Sequence, residues 1–261
     1  ASVGEPWAEF PGDGDTGANG RQTFPRLTPA ASSPSGTTLV GTPNSTASAT
    51  FRIDFFAVRP SAVDGTAHGE GERYLGSTTV TTSGAGNATI STTLASAWVN
   101  HGDRVTATAT RDLGGGSYGA TSEFAQNVTA TASRVVVVDT TSDTADGTTT
   151  SIANLGSSRG GDGYVSLREA LLATGNDSVG GSLPDKIVFA IRGTGSHTIT
   201  PGSLLPTIGR AVDLDATTDD SYAAQGNVPA IVLDGADAVL DGLRLYTGSD
   251  GSTVRGLNIQ R

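Results

Sequence analysis

The sequence contains no cysteine and no methionine, and Lys186 is its only lysine. Without cysteine there is no disulfide, thiolate zinc site, iron–sulfur cluster or thiol nucleophile. Without methionine, a chain beginning at Ala1 is expected to have lost a leader or to be cut from something longer. No run approaches the ~18 consecutive apolar residues of a membrane span, and no charged segment leads into an apolar one as in a signal peptide. The 16 basic residues are scattered among 26 acidic ones, for a net charge of -10. That leaves no basic stripe for a phosphate backbone and argues against a nucleic-acid partner. Leu, Glu and Lys, the staples of exposed helices, are scarce.

What remains is rich in Gly, Thr, Ser, Ala and Asp, the composition of short strands joined by tight turns, and predicts an all-β fold. The 261 residues suffice for one large domain or two modest ones. Residues 1–34 read as a linker or the tail of a preceding domain, ending in the run Thr28-Pro29-Ala30-Ala31-Ser32-Ser33-Pro34. Residues 35–131 alternate as half-buried strands do. Strands are expected at Thr38–Val40, Ala49–Phe56, Ser77–Val80, Ala88–Leu94, Arg104–Ala109 and Phe124–Val128, with a hairpin turn at Ser83–Asn87, and together they suggest a β-sandwich.

From residue 132 the strands become apolar on consecutive positions, as in parallel strands covered on both faces. They are expected at Val135–Val138, Lys186–Ile191, His197–Thr200, Ala211–Leu214, Ala230–Leu233, Leu243–Leu245 and Val254–Ile259. No crossover helices of adequate length separate them, which implies a solenoid. Val212 and Val232 lie 20 residues apart and Leu243 and Leu257 lie 14 apart, a spacing read as the rise of one coil to the next. One helix is expected, over Leu167–Thr174. Ser166 is its N-cap, Glu169 completes a capping box, Val165 and Ala170 form the staple, and Gly175 is placed to end it in the left-handed conformation.

Arg134–Thr140, Val165–Leu171 and Lys186–Ile191 together resemble the CSLREA-type N-terminal region of bacterial surface right-handed parallel β-helix proteins. His197–Thr200, Leu204–Ile208 and Ile231–Gly235 are similar to that family's first coils, and Val165 stands where the family name has Cys. Phe51–Phe56, Gly69–Val80 and Thr121–Phe124 resemble the Ig-like sandwich module found beside such β-helices. The resemblance implies a sandwich followed by the opening coils of a β-helix over 132–261, truncated at its C-terminus. Ser166, Leu167, Glu169, Ala170 and Leu171 would form a structural cap on the first rung. It further implies a non-catalytic structural or adhesive segment of a modular bacterial protein, extracellular or at the cell surface. Its partners would be a polysaccharide, a protein ligand or copies of itself.

Four constellations are candidates for chemistry. Asp13, Asp15 and Asn19 place side-chain oxygens among turn-permitting glycines, which suits calcium as the one candidate cofactor, or else an Asx-rich turn. Asp213, Asp215, Asp219 and Asp220 could act as paired carboxylates of a polysaccharide lyase or glycoside hydrolase, or sit in turns at strand ends. His68, His101 and His197 accompany no Gly-x-Ser-x-Gly elbow and read as surface residues, and Glu70, Glu72 and Arg73 read as a solvated loop or a ligand contact. A carbohydrate-binding module acting through the sandwich loops is a further alternative, with Trp98 as its only tryptophan.

Overall fold

The computed structural model describes residues 19, 22–179, 183–237 and 241–261. Strand outweighs helix among these residues, 37% against 12%, as in an all-β chain. The early strands are β1 (Arg26–Leu27), β2 (Ala31–Ser33), β3 (Gly36–Thr42), β4 (Thr50–Val58), β5 (Arg73–Thr81) and β6 (Ile90–Leu94). β7 (Arg104–Gly114), β8 (Ser117–Thr121), β9 (Val128–Thr129), β10 (Thr131–Ala132) and β11 (Val135–Val138) follow. Next come the helices α1 (Ile152–Ser157) and α2 (Leu167–Asn176), then β12 (Asp185–Phe189), β13 (His197–Ile199) and β14 (Val212–Asp215). Helix α3 (Asp220–Ala224) precedes β15 (Ile231–Asp234), β16 (Thr253–Arg255) and β17 (Leu257–Gln260).

The chain forms two compact units. One comprises residues 1–30, 38–94 and 104–129, and the other 31–37, 95–103 and 130–261. The run expected as linker therefore contributes strands: β1 pairs with β3, and Ala31 and Ser32 of β2 pair in parallel with Thr131 and Ala132 of β10.

In the first unit β4 is central, flanked by β5 and β7 in antiparallel register, with β8 and β9 on β7. Its alternation is the cause: Phe51, Ile53, Phe55 and Ala57 are buried, while Thr50, Arg52, Asp54 and Phe56 face outward. Ser83–Asn87 closes a turn through Gly86 N–H to Ser83 C=O, 2.9 Å, with Gly86 at φ +79. It is not the hairpin expected, because β5 pairs with β4 whereas β6 pairs with β3. Of the strand expected at Phe124–Val128 only Val128 is strand, since Ala125 N–H turns to Ala107 C=O and Gln126 makes a single bridge to His68. Nor is the Glu70–Arg73 stretch a solvated loop, because Arg59 clasps Glu72 through two side-chain bonds of 2.8 and 2.7 Å.

In the second unit the chain alternates between two parallel sheets, β11-β12-β14-β16 and β13-β15-β17. One face of each strand enters a shared core: Val136, Val138, Ile187, Phe189, Val212 and Leu214 from the first sheet, Ile199, Ile231 and Leu233 from the second. Helix α2 adds Leu167, Ala170, Leu171 and Ala173 to the same core. It stands in the chain between β11 and β12, where the alternation would call for a strand of the second sheet before β13. At the outer edge of β11, the Asn100 side chain accepts from Val137 N–H at 2.8 Å and donates to Val137 C=O at 2.9 Å. A side-chain amide thus satisfies backbone groups that an open edge would leave to another chain.

The spacing inferred from hydrophobic residues is corrected. Val212 and Val232 belong to different sheets, and Leu243 lies outside any strand. Successive strands of one sheet are farther apart, as in Lys186 beside Asp213, 27 residues on, and Asp234 beside Gln260, 26 on. A residue of the Leu243–Leu245 run makes only a bridge, Leu245 to Ile208. Gly175 is likewise not the left-handed terminator: α2 continues through it to Asn176, whose amide donates to Thr149 C=O at 2.9 Å, and Asp177 is the C-cap.

Candidate functional site

The outward face of the first parallel sheet gathers the most charge. In β14, Val212 and Leu214 point into the core, so Asp213 and Asp215 project from the opposite face. Register places Lys186 beside Asp213 and Asp215 beside Arg255. The Lys186 ammonium lies 2.6 Å from Asp213 Oδ2 and 3.7 Å from Asp215 Oδ2. Arg255 Nη2 lies 2.8 Å from Asp215 Oδ2 and 3.3 Å from Asp213 Oδ1. Lys186 Nζ also stands 5.4 Å from the centre of the Trp98 ring, which packs with Val135, Val137 and Val188. Two carboxylates and two cations therefore form a neutral lattice on an apolar base.

Burial alone pushes the Asp215 carboxyl upward. Hydrogen bonds from Arg255 and Thr217, with the Arg255 charge, outweigh it and hold the group below the ordinary carboxylate range. Asp215 also accepts from Thr217 N–H at 3.1 Å and Thr217 Oγ1 at 2.6 Å, closing a tight turn. A general acid in glycoside cleavage needs a carboxyl held protonated near neutrality. Asp215 is held the other way.

Asp219 and Asp220 lie apart from this lattice. Asp219 is buried and caps α3, accepting from Ser221 N–H at 3.1 Å and from Ile191 N–H at 2.9 Å, while Asp220 is exposed in the first turn of α3. His197 is buried, contrary to the surface position expected, with Nε2 3.0 Å from Ser221 Oγ and 3.7 Å from Asp219 Oδ1. Serine, histidine and aspartate thus meet, but both partners address the same ring nitrogen. A triad needs the carboxylate on the far nitrogen and an accessible serine, and Ser221 is buried.

The capping box at the start of α2 is closed on both sides. Ser166 Oγ accepts from Glu169 N–H at 3.2 Å, and Glu169 Oε2 accepts from Ser166 N–H at 2.9 Å and Ser166 Oγ at 3.1 Å. Glu169 does more than close the box: its Oε1 accepts from Gly147 N–H at 2.7 Å and Asp146 N–H at 3.1 Å, which ties the stretch between β11 and α1 to the start of α2. Arg168 bonds both oxygens of Asp143, at 3.0 and 2.8 Å, and donates to Ser203 and Leu204 C=O, each at 2.9 Å.

Asp13 and Asp15 lie outside the described residues. Asn19 has φ +56, and its carbonyl accepts from Gln22 N–H at 3.3 Å. Among the described residues no three His, Asp or Glu side chains gather as a metal site, and no helix is long and apolar enough to cross a membrane. No family model matches the chain, and no curated protein matches it. Sequence reasoning singled out Asp213 and Asp215 but missed Lys186, Arg255 and Trp98, whose proximity depends on the register between coils. The single lysine in a strand was the one available signal.

Proposed function

We propose that the chain is a non-catalytic structural or adhesive segment of a modular bacterial surface protein, an Ig-like sandwich followed by the first coils of a right-handed parallel β-helix. The observation that carries this reading is the alternation of the C-terminal strands between two parallel sheets, with α2 packed where a strand of the leading coil would fall. Such a stack runs its backbone hydrogen bonds lengthwise and suits a rigid projecting element. The helix would act as the CSLREA-type cap. The Asp213 and Asp215 carboxylates favour a structural role, since each is matched by a cation on an adjoining strand.

The test is product release from acidic polysaccharides, read as reducing ends and unsaturated sugars, with the parent chain and Asp213→Asn. The reading expects none from either. Product from the parent that disappears in the variant would replace it with a polysaccharide-degrading enzyme.

A further inference from the structure

The outward face of the first unit's antiparallel sheet carries side chains that its own packing does not require. Tyr74 on β5 and Tyr118 on β8 are each 50% exposed, with Arg52 and Asp54 of β4 between them. The rings are held in place. Arg52 Nη2 donates to Tyr74 Oη at 3.1 Å, Tyr74 Oη donates to Asp54 Oδ1 at 3.1 Å, and the guanidinium carbon lies 5.8 Å from the Tyr118 ring centre. Phe56, its cross-strand neighbour, packs edge to face against Tyr74 with ring centres 5.6 Å apart. Around them the face is covered with hydroxyls, in cross-strand pairs Thr50–Thr81 at 3.1 Å and Thr110–Thr121 at 2.9 Å. The backbone register shifts between Phe55 and Phe56, where Tyr74 takes its place opposite Phe56.

We propose that this face binds a neutral polysaccharide, with Tyr74 and Tyr118 stacking on sugar rings and Arg52, Asp54 and the threonine rows hydrogen-bonding their hydroxyls. Sugars present an apolar C–H face and a polar rim, which is what a ring beside a hydroxyl lattice accommodates. Because the rings are already fixed, little side-chain freedom is lost on binding. Charge complementarity selects the class of polymer: the Arg52 charge is matched by Asp54 at 2.8 Å, and a chain of net charge -10 repels polyanions. A protein partner would need an apolar centre to bury, and the ground between the tyrosines offers Arg, Asp and Thr instead.

This rests on the adhesive half of the reading above, and its failure would leave the coil architecture of the second unit untouched. The experiment is affinity gel electrophoresis of the whole chain through β-glucan, xylan, galactomannan and dextran, with alginate and polygalacturonate as acidic probes. Retardation is expected in at least one neutral gel. Tyr74→Ala and Tyr118→Ala should each weaken it about tenfold, while Tyr74→Phe, Tyr118→Phe and the control Tyr246→Ala stay within about threefold. Melting curves matching the parent's would establish that the variants fold, and the phenylalanine variants keep the test open if an alanine variant does not. No retardation in any gel, retardation by acidic polymers alone, or retardation indifferent to both alanine changes would overturn the proposal.

Discussion

Replacing Glu169 by alanine removes a buried carboxylate that accepts from three backbone N–H groups, of Asp146, Gly147 and Ser166, and from one hydroxyl. A hydrogen bond to a charged group contributes ~1.5–3 kcal/mol, and a buried donor left unpaired costs ~1–3. Of the three donors only Ser166 N–H is buried, whereas Asp146 and Gly147 lie nearer the surface where water can replace the lost acceptor, so the net loss is about 2–4 kcal/mol. Glu169→Gln keeps one oxygen for Asp146 and Gly147 but turns an amide donor toward Ser166 N–H, so about 1–3 kcal/mol is expected. Trp98 packs against Val135 and Val188 in the same unit, and in a Trp7→Phe background its fluorescence reports unfolding of that unit in urea. The expected order of midpoints is parent, Gln, Ala. Stabilities of all three within ~0.5 kcal/mol would show that the carboxylate does not tie the stretch between β11 and α1 to α2.

Three further outcomes follow from the same geometry. Leu171→Asp places an unpaired charge in the core beneath α2, and should cost the second unit more than ~4 kcal/mol and promote association in light scattering; unchanged stability and monodispersity would remove the capping role. Burial raises the Asp185 carboxyl despite its Arg134 partner, so its contribution is favourable below the unfolded carboxylate value and is lost as pH rises through the folded one. Asp185→Asn should therefore gain on the parent in urea midpoint as pH rises above about 4, the unfolded carboxylate value; parallel pH profiles would contradict this. Asp215 is held low, so it stabilises above the unfolded value and loses that contribution as pH falls through the folded one. In Arg255→Ala the carboxyl loses the partner that holds it down, and acid unfolding should begin at a higher pH than in the parent.

What the sequence made legible was local. The capping box of α2 needs only Ser166 and Glu169 at their spacing, and both bonds are present. Val135–Val138 was readable because four β-branched residues in a row suit a strand buried on both faces. Helix α1 was missed because its six residues include Gly156, a poor helix former. That glycine is there for space, since a Cβ would collide with the His101 carbonyl oxygen. The coil spacing was misread because apolar residues recur in both sheets, and only pairing reveals which sheet a strand joins. The ion lattice depended on that pairing, with Lys186 and Arg255 lying 27 and 42 residues from Asp213. The tyrosine face was hidden for a similar reason: Tyr74 and Tyr118 meet Arg52 only through β5 and β8.

The central claim is that the C-terminal strands stack in parallel register as successive coils. Because the chain has no cysteine, engineered pairs test it cleanly. Thr198 is paired with Val232, and Val232 with Asn258, one strand further. Neighbouring strands lie ~4.8 Å apart, within disulfide reach, whereas two strand spacings put Thr198 and Asn258 about 10 Å apart, beyond it. Under mild oxidation Thr198→Cys with Val232→Cys should form an intramolecular disulfide, and Thr198→Cys with Asn258→Cys should not. Cross-linking of the second pair, or failure of the first in a folded protein, would contradict the coil.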